Sequence, residues 1–225
     1  YSGLRTVDLP DGITEIGEMA FSSCSDLQKV SLPASLTTIK EQAFWCDEAL
    51  REVVIPVGSR LKTVGKIAFQ WCNSLKGIQL PDTLEIIEDK AFNNCTALKS
   101  IGLTKINQLN SLGENAFQST SITNFHYSAS LNKVGKRPLE GCNGLTEITV
   151  ANNNPMFKSV DGVLFNKDGT SLLQYPANKK GSSYTTPAGV KKISTYAFQG
   201  TSPKLREIVI GKGVENIESL AFQQS

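Results

Sequence analysis

The sequence repeats, and the repeat decides what the chain can become. Aligned on an Ala-Phe pair, the pattern Leu-x-x-Val-x-Leu-Pro-x-x-Leu-x-x-Ile-x-x-x-Ala-Phe-x-x-Cys recurs at Ala20, Ala43, Ala68, Ala91, Ala116, Ala197 and Ala221, and Pro138-Leu139 replaces the pair in one further copy. The leading apolar residues are Leu4, Leu27, Leu50, Leu75, Leu98, Ile122, Leu145 and Leu205, at spacings of 23, 23, 25, 23, 24, 23 and then 60 residues. A unit of this length cannot bury its own apolar face, so successive units must stack and share a core.

Stacking turns each apolar slot into a ladder. Leu27, Val30 and Leu32 alternate along a short run that reads as a strand stopped by Pro33. Val7 and Leu9, Val53 and Ile55, Ile78 and Leu80, Ile101 and Leu103, Ile148 and Val150, and Ile208 and Ile210 are the equivalents. A second apolar pair follows each turn, as at Leu36 and Ile39 or Leu61 and Val64. The longer copies carry their extra residues between Pro56 and Leu61 and between Thr104 and Leu109, and both regain register before the Ala. Turns at a surface tolerate such additions.

One segment breaks the pattern. After Ala151-Asn152-Asn153-Asn154-Pro155 the Ala-Phe half of a coil is missing, and two short apolar runs flank Asp168-Gly169 instead. Asp-Gly supplies the positive φ of a tight turn, so this reads as a β-hairpin, with the solenoid resuming near Tyr184. Asn166, Asp168 and Thr170 have the spacing of half a calcium loop, but without its downstream Glu they read as a turn.

Charge argues against two partner classes. The 23 basic and 21 acidic residues leave a net charge of +2 with no long block of one sign, unlike a nucleic-acid groove or a polybasic membrane patch. No apolar run approaches the roughly 20 residues of a membrane helix, and no signal peptide is present. The chain starts and stops inside repeats without a polar cap, which reads as a fragment of a longer protein.

Cys24, Cys72, Cys95 and Cys142 sit four residues after the Ala or its Pro138 substitute, and Cys46 sits three after. Thr120, Thr201 and Ser225 fill the same slot elsewhere, so it selects a small, weakly polar side chain rather than sulfur. The reading is a ladder of buried thiols, with disulfides or a metal site as the alternatives; zinc would want paired Cys-x-x-Cys or His partners, and His126 is the single histidine.

The Leu-Pro-x-x-Leu-x-x-Ile-x-x-x-Ala-Phe-x-x-Cys pattern resembles the BspA-type (Treponema pallidum-type) leucine-rich repeat family. The run from Asn154 to Phe165 looks like that family's recurrent interruption. The resemblance covers essentially the whole chain, and Pro138-Leu139 and the Cys-less coil ending at Thr120 depart from it. It implies a surface or secreted protein of bacteria or protists, with adhesion or host-protein binding as the usual role and no catalytic residues to carry over. Repeat and resemblance together predict an α/β repeat solenoid, right-handed and strand-rich with short helical turns. It would have about eight to nine coils in one domain over residues 1–225, with a β-hairpin interruption at 151–183.

Chemistry is sparse. His126 lies between the inward aromatics Phe125 and Tyr127, so it faces outward and reads as inert; no Ser-His-Asp or Cys-His site can be built without it. Acidic residues are scattered over turns, no Gly-rich loop precedes a helix, and no cofactor or metal is implied. The expectation is a non-enzymatic module that binds a host or matrix protein; the alternatives are a structural spacer and a carbohydrate-binding or carbohydrate-active protein.

Two candidate surfaces follow. Outward columns on the strand face run Thr6, Lys29, Glu52, Gly77, Ser100, Asn124, Glu147, Glu207 and Asp8, Ser31, Val54, Gln79, Gly102, His126, Thr149, Val209. They do not repeat in chemistry although the inward ladders do, so they read either as an interaction surface or as plain solvated sheet. Trp45 and Trp71, each just before a Cys in adjacent coils, read either as covers over the turn beneath them or as a stacking platform for a sugar or apolar side chain.

Overall fold

In the computed structural model, residues 3–102 and 108–225 are described. Tyr1, Ser2, the ladder position Leu103 and most of the extended turn after Thr104 lie outside the described residues. The chain divides into two compact units, Tyr1–Ile122 with Ser130–Glu140, and Thr123–Ala129 with Gly141–Ser225. Each is a stack of β-solenoid coils.

In the first unit, Thr6–Asp8, Lys29–Ser31 and Glu52–Val54 pair in parallel, with Val7, Val30 and Val53 in one register. Farther along this face, Gly77 and Ser100 form a parallel bridge. The second apolar pairs build another sheet of six two-residue strands: Glu15–Ile16, Thr38–Ile39, Thr63–Val64, Ile86–Ile87, Ser111–Leu112 and Lys133–Val134. Two-residue strands are too short to announce themselves by alternation, so only their stacking makes a sheet of them. Val30, Leu36, Ile39, Leu61, Val64, Leu84 and Ile87 are fully or almost fully buried between the layers. The added residues after Pro56 form a surface turn with Val57 wholly exposed and Gly58 at φ 80°, while Leu61 beyond them is back in the core.

The predicted short helical turns are absent: the described residues contain no helix. The reason lies in where the amides of the Ala-Phe segment go. In the second coil Ala43, Trp45 and Asp47 donate to Lys40, Gln42 and Phe44 within the coil, whereas Gln42, Phe44 and Cys46 donate to Lys66, Ala68 and Gln70 of the next coil. A helix needs every amide for a carbonyl four residues back. Here alternate amides belong to the neighbour, and the segment is a pair of tight turns.

That alternation forces left-handed backbone at two points per coil. Met19, Gln42, Ile67, Lys90, Asn115, Tyr196 and Leu220 precede the Ala, and Arg137 precedes Pro138, with φ between 49° and 61°, and Ser23, Cys46, Trp71, Asn94 and Ser119 follow the Ala with φ of 58° to 68°. Side-chain-bearing residues, β-branched Ile67 above all, enter this region at a cost of roughly 1 kcal/mol or more. At Met19, Gln42, Ile67, Lys90 and Asn115 the amide bonds the following coil, which helps to hold this conformation.

The Phe of each pair fills the coil centre. Phe21, Phe44, Phe69, Phe92 and Phe117 stack with ring centroids 5.0 to 5.2 Å apart and planes within 6° of parallel. Pro138-Leu139 preserves the coil. The Pro138 carbonyl accepts from Phe117 at 2.8 Å, as Ala116 accepts from Phe92, and Leu139 is buried in the aromatic slot. The amide that proline lacks is the one that elsewhere makes only a 3.0 to 3.3 Å bond inside its own turn, as Ala43, Ala68 and Ala197 do.

In the second unit Asn124–Tyr127 and Glu147–Val150 pair in parallel with Phe125 and Tyr127 inward. The interruption is larger than one hairpin. Phe157–Val160, Val163–Asn166 and Ser171–Gln174 form an antiparallel meander, and the last strand joins Lys192–Ile193 and Asn216–Ile217 in parallel. Asp161 and Gly162, at φ 48° and 73°, make the first turn, which hands its Gly162 carbonyl to the Ile148 amide. At the second turn Asn166 bonds the Thr170 hydroxyl through its side-chain nitrogen and the Ser171 amide through Oδ1, so the residues spaced like a calcium loop are tied into the turn itself. Ser183–Thr185 then pairs with Glu207–Val209, and Tyr175, Phe198 and Phe222 rebuild an aromatic stack.

Alignment by hydrogen bonding corrects the cysteine slot. The Ser23 amide bonds to Trp45, that of Cys46 to Gln70 and that of Trp71 to Asn93, so Cys46 shares a slot with Ser23 and Trp71. Asp47, not Cys46, occupies the inward slot of Cys24, Cys72 and Cys95. The sulfurs there donate to carbonyls one coil back, Cys72 to Phe44 at 3.2 Å and Cys95 to Phe69 at 2.9 Å. Thr120 instead bonds the Phe117 carbonyl of its own coil.

All five cysteines are free thiols, with Cys72, Cys95 and Cys142 buried and Cys24 and Cys46 half-buried. Burial pushes the Cys46 thiol up, with Glu48 and Asp47 adding to it, and burial followed by Cys95 pushes Cys72 up further. Denatured, unreduced protein is expected to titrate five thiols with a chromogenic disulfide reagent. The folded protein should react at no more than two, slowly. Three or fewer in the denatured titration would mean disulfides.

Candidate interaction surfaces

The strand face presents the outward residues in the columns that stacking demands. In the first unit Thr6, Lys29 and Glu52 are register partners, as are Asp8, Ser31 and Val54. Lys29 and Glu52 close an ion pair at 3.0 Å across the coils, and Val54 is exposed. Gln79 and Ser100 are exposed on the same face. Opposite charges on adjacent coils recur on this unit: Lys40 meets Glu15 at 2.9 Å, Lys62 meets Glu85 at 2.9 Å and Lys66 meets Glu41 at 3.2 Å. All are solvent-exposed pairs that set register more than they add stability.

In the second unit Asn124 is the register partner of Glu147, and His126 of Thr149. His126 Nδ1 lies 2.8 Å from the Thr149 hydroxyl, and partial burial holds the imidazole below its usual pKa.

Trp45 and Trp71 are both exposed but occupy successive slots rather than the same one: Trp45 aligns with Gln70, and Trp71 with Cys46. Counting back from cysteine misplaced them because Cys46 is not the ladder cysteine. Beyond Trp45, the same slot carries a run of amides, Gln70 donating to Asn93 and Asn93 to Gln118, each at 2.7 Å.

Among the described residues, each unit carries a surface hollow. In the first unit one of about 510 Å³ lies over the six-stranded sheet between Lys66, Ile86, Ser111 and Lys133, with Glu88 and Asp89 in its wall. Both carboxylates are committed, Glu88 to the Lys66 amide at 2.9 Å and Asp89 to the Glu114 amide at 2.7 Å. In the second unit Thr146, Glu147, Asp161, Gly162, Lys179 and Lys180 surround about 520 Å³, and Asp161 pairs with Lys179 at 3.1 Å. Among the described residues there is no group of three or more His, Cys, Asp or Glu able to hold a metal, and no helix long and apolar enough to cross a membrane.

Short parallel strands stacked coil on coil around a Phe ladder, with tight turns in place of helices, define a β-solenoid of the leucine-rich-repeat kind. Six copies of the BspA type leucine rich repeat region match residues 1–103, 62–178 and 174–225, and the chain belongs to that family. Among solved structures it is similar to the pneumococcal vaccine antigen PcpA, with a TM-score of 0.87 and 27% identity over 98% of this chain and 58% of that one. It is also similar to a leucine-rich repeat protein from Eubacterium ventriosum, with a TM-score of 0.54 and 26% identity over 94% of this chain and 49% of that one. A leucine rich cell surface protein from Faecalibacterium prausnitzii shares the fold, with a TM-score of 0.67 and 21% identity over 95% of this chain and 69% of that one. No curated protein matches the sequence.

Proposed function

We propose that this chain is a non-enzymatic recognition module of a bacterial surface or secreted protein, and that it binds another protein, such as a host or matrix component, through its strand face. One contrast supports the reading: Val7, Val30 and Val53 repeat inward, while their outward neighbours Thr6, Lys29, Glu52 and Asp8, Ser31, Val54 do not repeat at all. A scaffold that fixes its core and leaves its surface free is suited to recognition. The family and the similarity to a vaccine antigen favour an exposed location.

Small and polar residues without a central aromatic cluster suit a weak or multivalent contact, since strong hot spots favour Trp, Tyr and Arg. A screen against matrix and plasma proteins, beside a glycan array, would supply the partner. Introducing Ser31→Glu, Gln79→Glu and Ser100→Glu together is expected to leave the melting temperature within a few degrees and weaken that partner at least tenfold. Unchanged affinity in the folded variant would move the contact to the Trp45 and Trp71 flank or to the meander.

A further inference from the structure

In two strand-face coils of the first unit the residues after the leading Leu both turn out of the core, because two amides converge on one carbonyl. Arg51 and Glu52 both donate to the Gln28 carbonyl, at 3.0 and 3.2 Å, as Gln28 and Lys29 both donate to Arg5. The first of these positions forms a column of its own, immediately after the buried Leu27, Leu50, Leu75 and Leu98, exposed throughout except at half-buried Gln28. It reads Arg5, Gln28, Arg51, Lys76, Lys99.

This column differs from the ion-paired ones of the unit. Lys29 and Glu52, or Lys62 and Glu85, close opposite charges across coils, whereas here Arg51, Lys76 and Lys99 follow one another in successive coils without an acid between them. The Lys99 amide bonds the Lys76 carbonyl at 2.9 Å, which fixes these two side by side. Arg51 binds the Gln28 side chain at 2.6 Å, and among the described residues Lys76 and Lys99 have no acidic partner. The flanking positions in their coils, Asn73, Ser74, Gly77, Thr96, Ala97 and Ser100, carry no charge. Like charges opposite one another in a sheet are unfavourable. Rungs about 4.8 Å apart also lie well inside a Debye length of about 8 Å, so their potentials add.

We infer that this column is a binding track for a linear sulfated polysaccharide, a ligand that goes beyond the protein-recognition reading. The ladder asks for anions at one-rung intervals along a straight line. A linear sulfated polysaccharide carries fully ionised sulfates densely along its length, which suits a close column of cations. An extended acidic peptide places same-face carboxylates about 6.8 Å apart, a sparser row of anions than the 4.8 Å ladder of cations. Arg51 adds a planar fork suited to two sulfate oxygens.

The test uses immobilised heparin and the chain as it stands. Wild type should be retained at about 0.15 M salt and should not be retained on chemically desulfated heparin. The triple variant Arg51→Ser, Lys76→Ser, Lys99→Ser should elute much earlier, with the slope of log affinity against log salt reduced by roughly 2 to 3. A control with the same charge change elsewhere, Lys133→Ser, Lys136→Ser, Lys212→Ser, should shift elution far less. If the triple variant melts early, the single Lys76→Ser and Lys99→Ser variants carry the same test, with a slope change near one each. Wild type flowing through, equal shifts in both triples, or a triple variant that loses polyglutamate while keeping heparin would each overturn the assignment, the last in favour of an acidic protein partner.

Discussion

Phe69→Ala is expected to cost about 4 kcal/mol and to lower the melting temperature by roughly 10 °C. Phe69 is fully buried at the centre of the stack, with Phe44 5.0 Å to one side and Phe92 5.2 Å to the other. Its removal opens a ring-sized cavity and cuts two stacking contacts worth about 0.5 to 1.5 kcal/mol each. The loss falls at a junction between coils, where solenoid stability resides. Leucine already occupies this slot at Leu139, buried, so Phe69→Leu should cost less than half as much. Urea denaturation of both variants would decide it. A loss under about 1.5 kcal/mol for Phe69→Ala would mean that the coils do not depend on the aromatic ladder.

The second large effect concerns Asp47, fully buried in a slot that elsewhere holds Cys, Thr or Ser. Its Oδ1 accepts from the Cys24 amide at 2.7 Å and its Oδ2 has no hydrogen-bond partner. Burial dominates, outweighing the amide bond, and raises the pKa to about 7. An acid whose pKa is higher folded than unfolded keeps its proton in the native state. Its stability contribution is therefore intact below about pH 4 and is lost as pH rises towards 7. The penalty at pH 8 should be on the order of 2 to 3 kcal/mol, less than the full shift at ~1.4 kcal/mol per pH unit because half-exposed Cys24 and Cys46 let water answer part of the charge. Asp47→Cys restores the ladder residue and leaves the Cys24 amide its bond to the Phe21 carbonyl at 3.1 Å. It is expected to be more stable than wild type by about 2 kcal/mol at pH 8 and nearly equal to it at pH 4. A difference between the two proteins that does not change with pH would refute the assignment.

How much of this was legible follows from which interactions repeat in the sequence. Ladder residues such as Leu27, Val30 and Phe44 are selected alike in every coil, so their period gives the inward face and the register directly. Backbone amides leave no such trace. That Gln42, Phe44 and Cys46 donate to the next coil rather than backward is a property of stacking, and the helical turns expected there were wrong for that reason. The same blindness set Trp45 level with Trp71, because the slot was counted from a cysteine that had stepped aside for Asp47. Charge was misjudged differently. Arg51, Lys76 and Lys99 lie far apart along the chain and form no block in sequence, yet the fold makes them neighbours. Inward chemistry could be read from one coil at a time, whereas outward chemistry becomes visible only once coils are stacked.

The left-handed residues carry a consequence for how the chain folds. Met19, Gln42, Ile67 and Lys90 hold positive φ while donating their amides to the following coil, and an isolated coil lacks those bonds. The smallest stable seed is therefore two coils in contact. It must bear the backbone cost of both at once, much as a first helical turn bears the cost of nucleation before elongation repays it. During synthesis each coil would stay loose until its successor emerges, and order would then advance one rung behind the growing end.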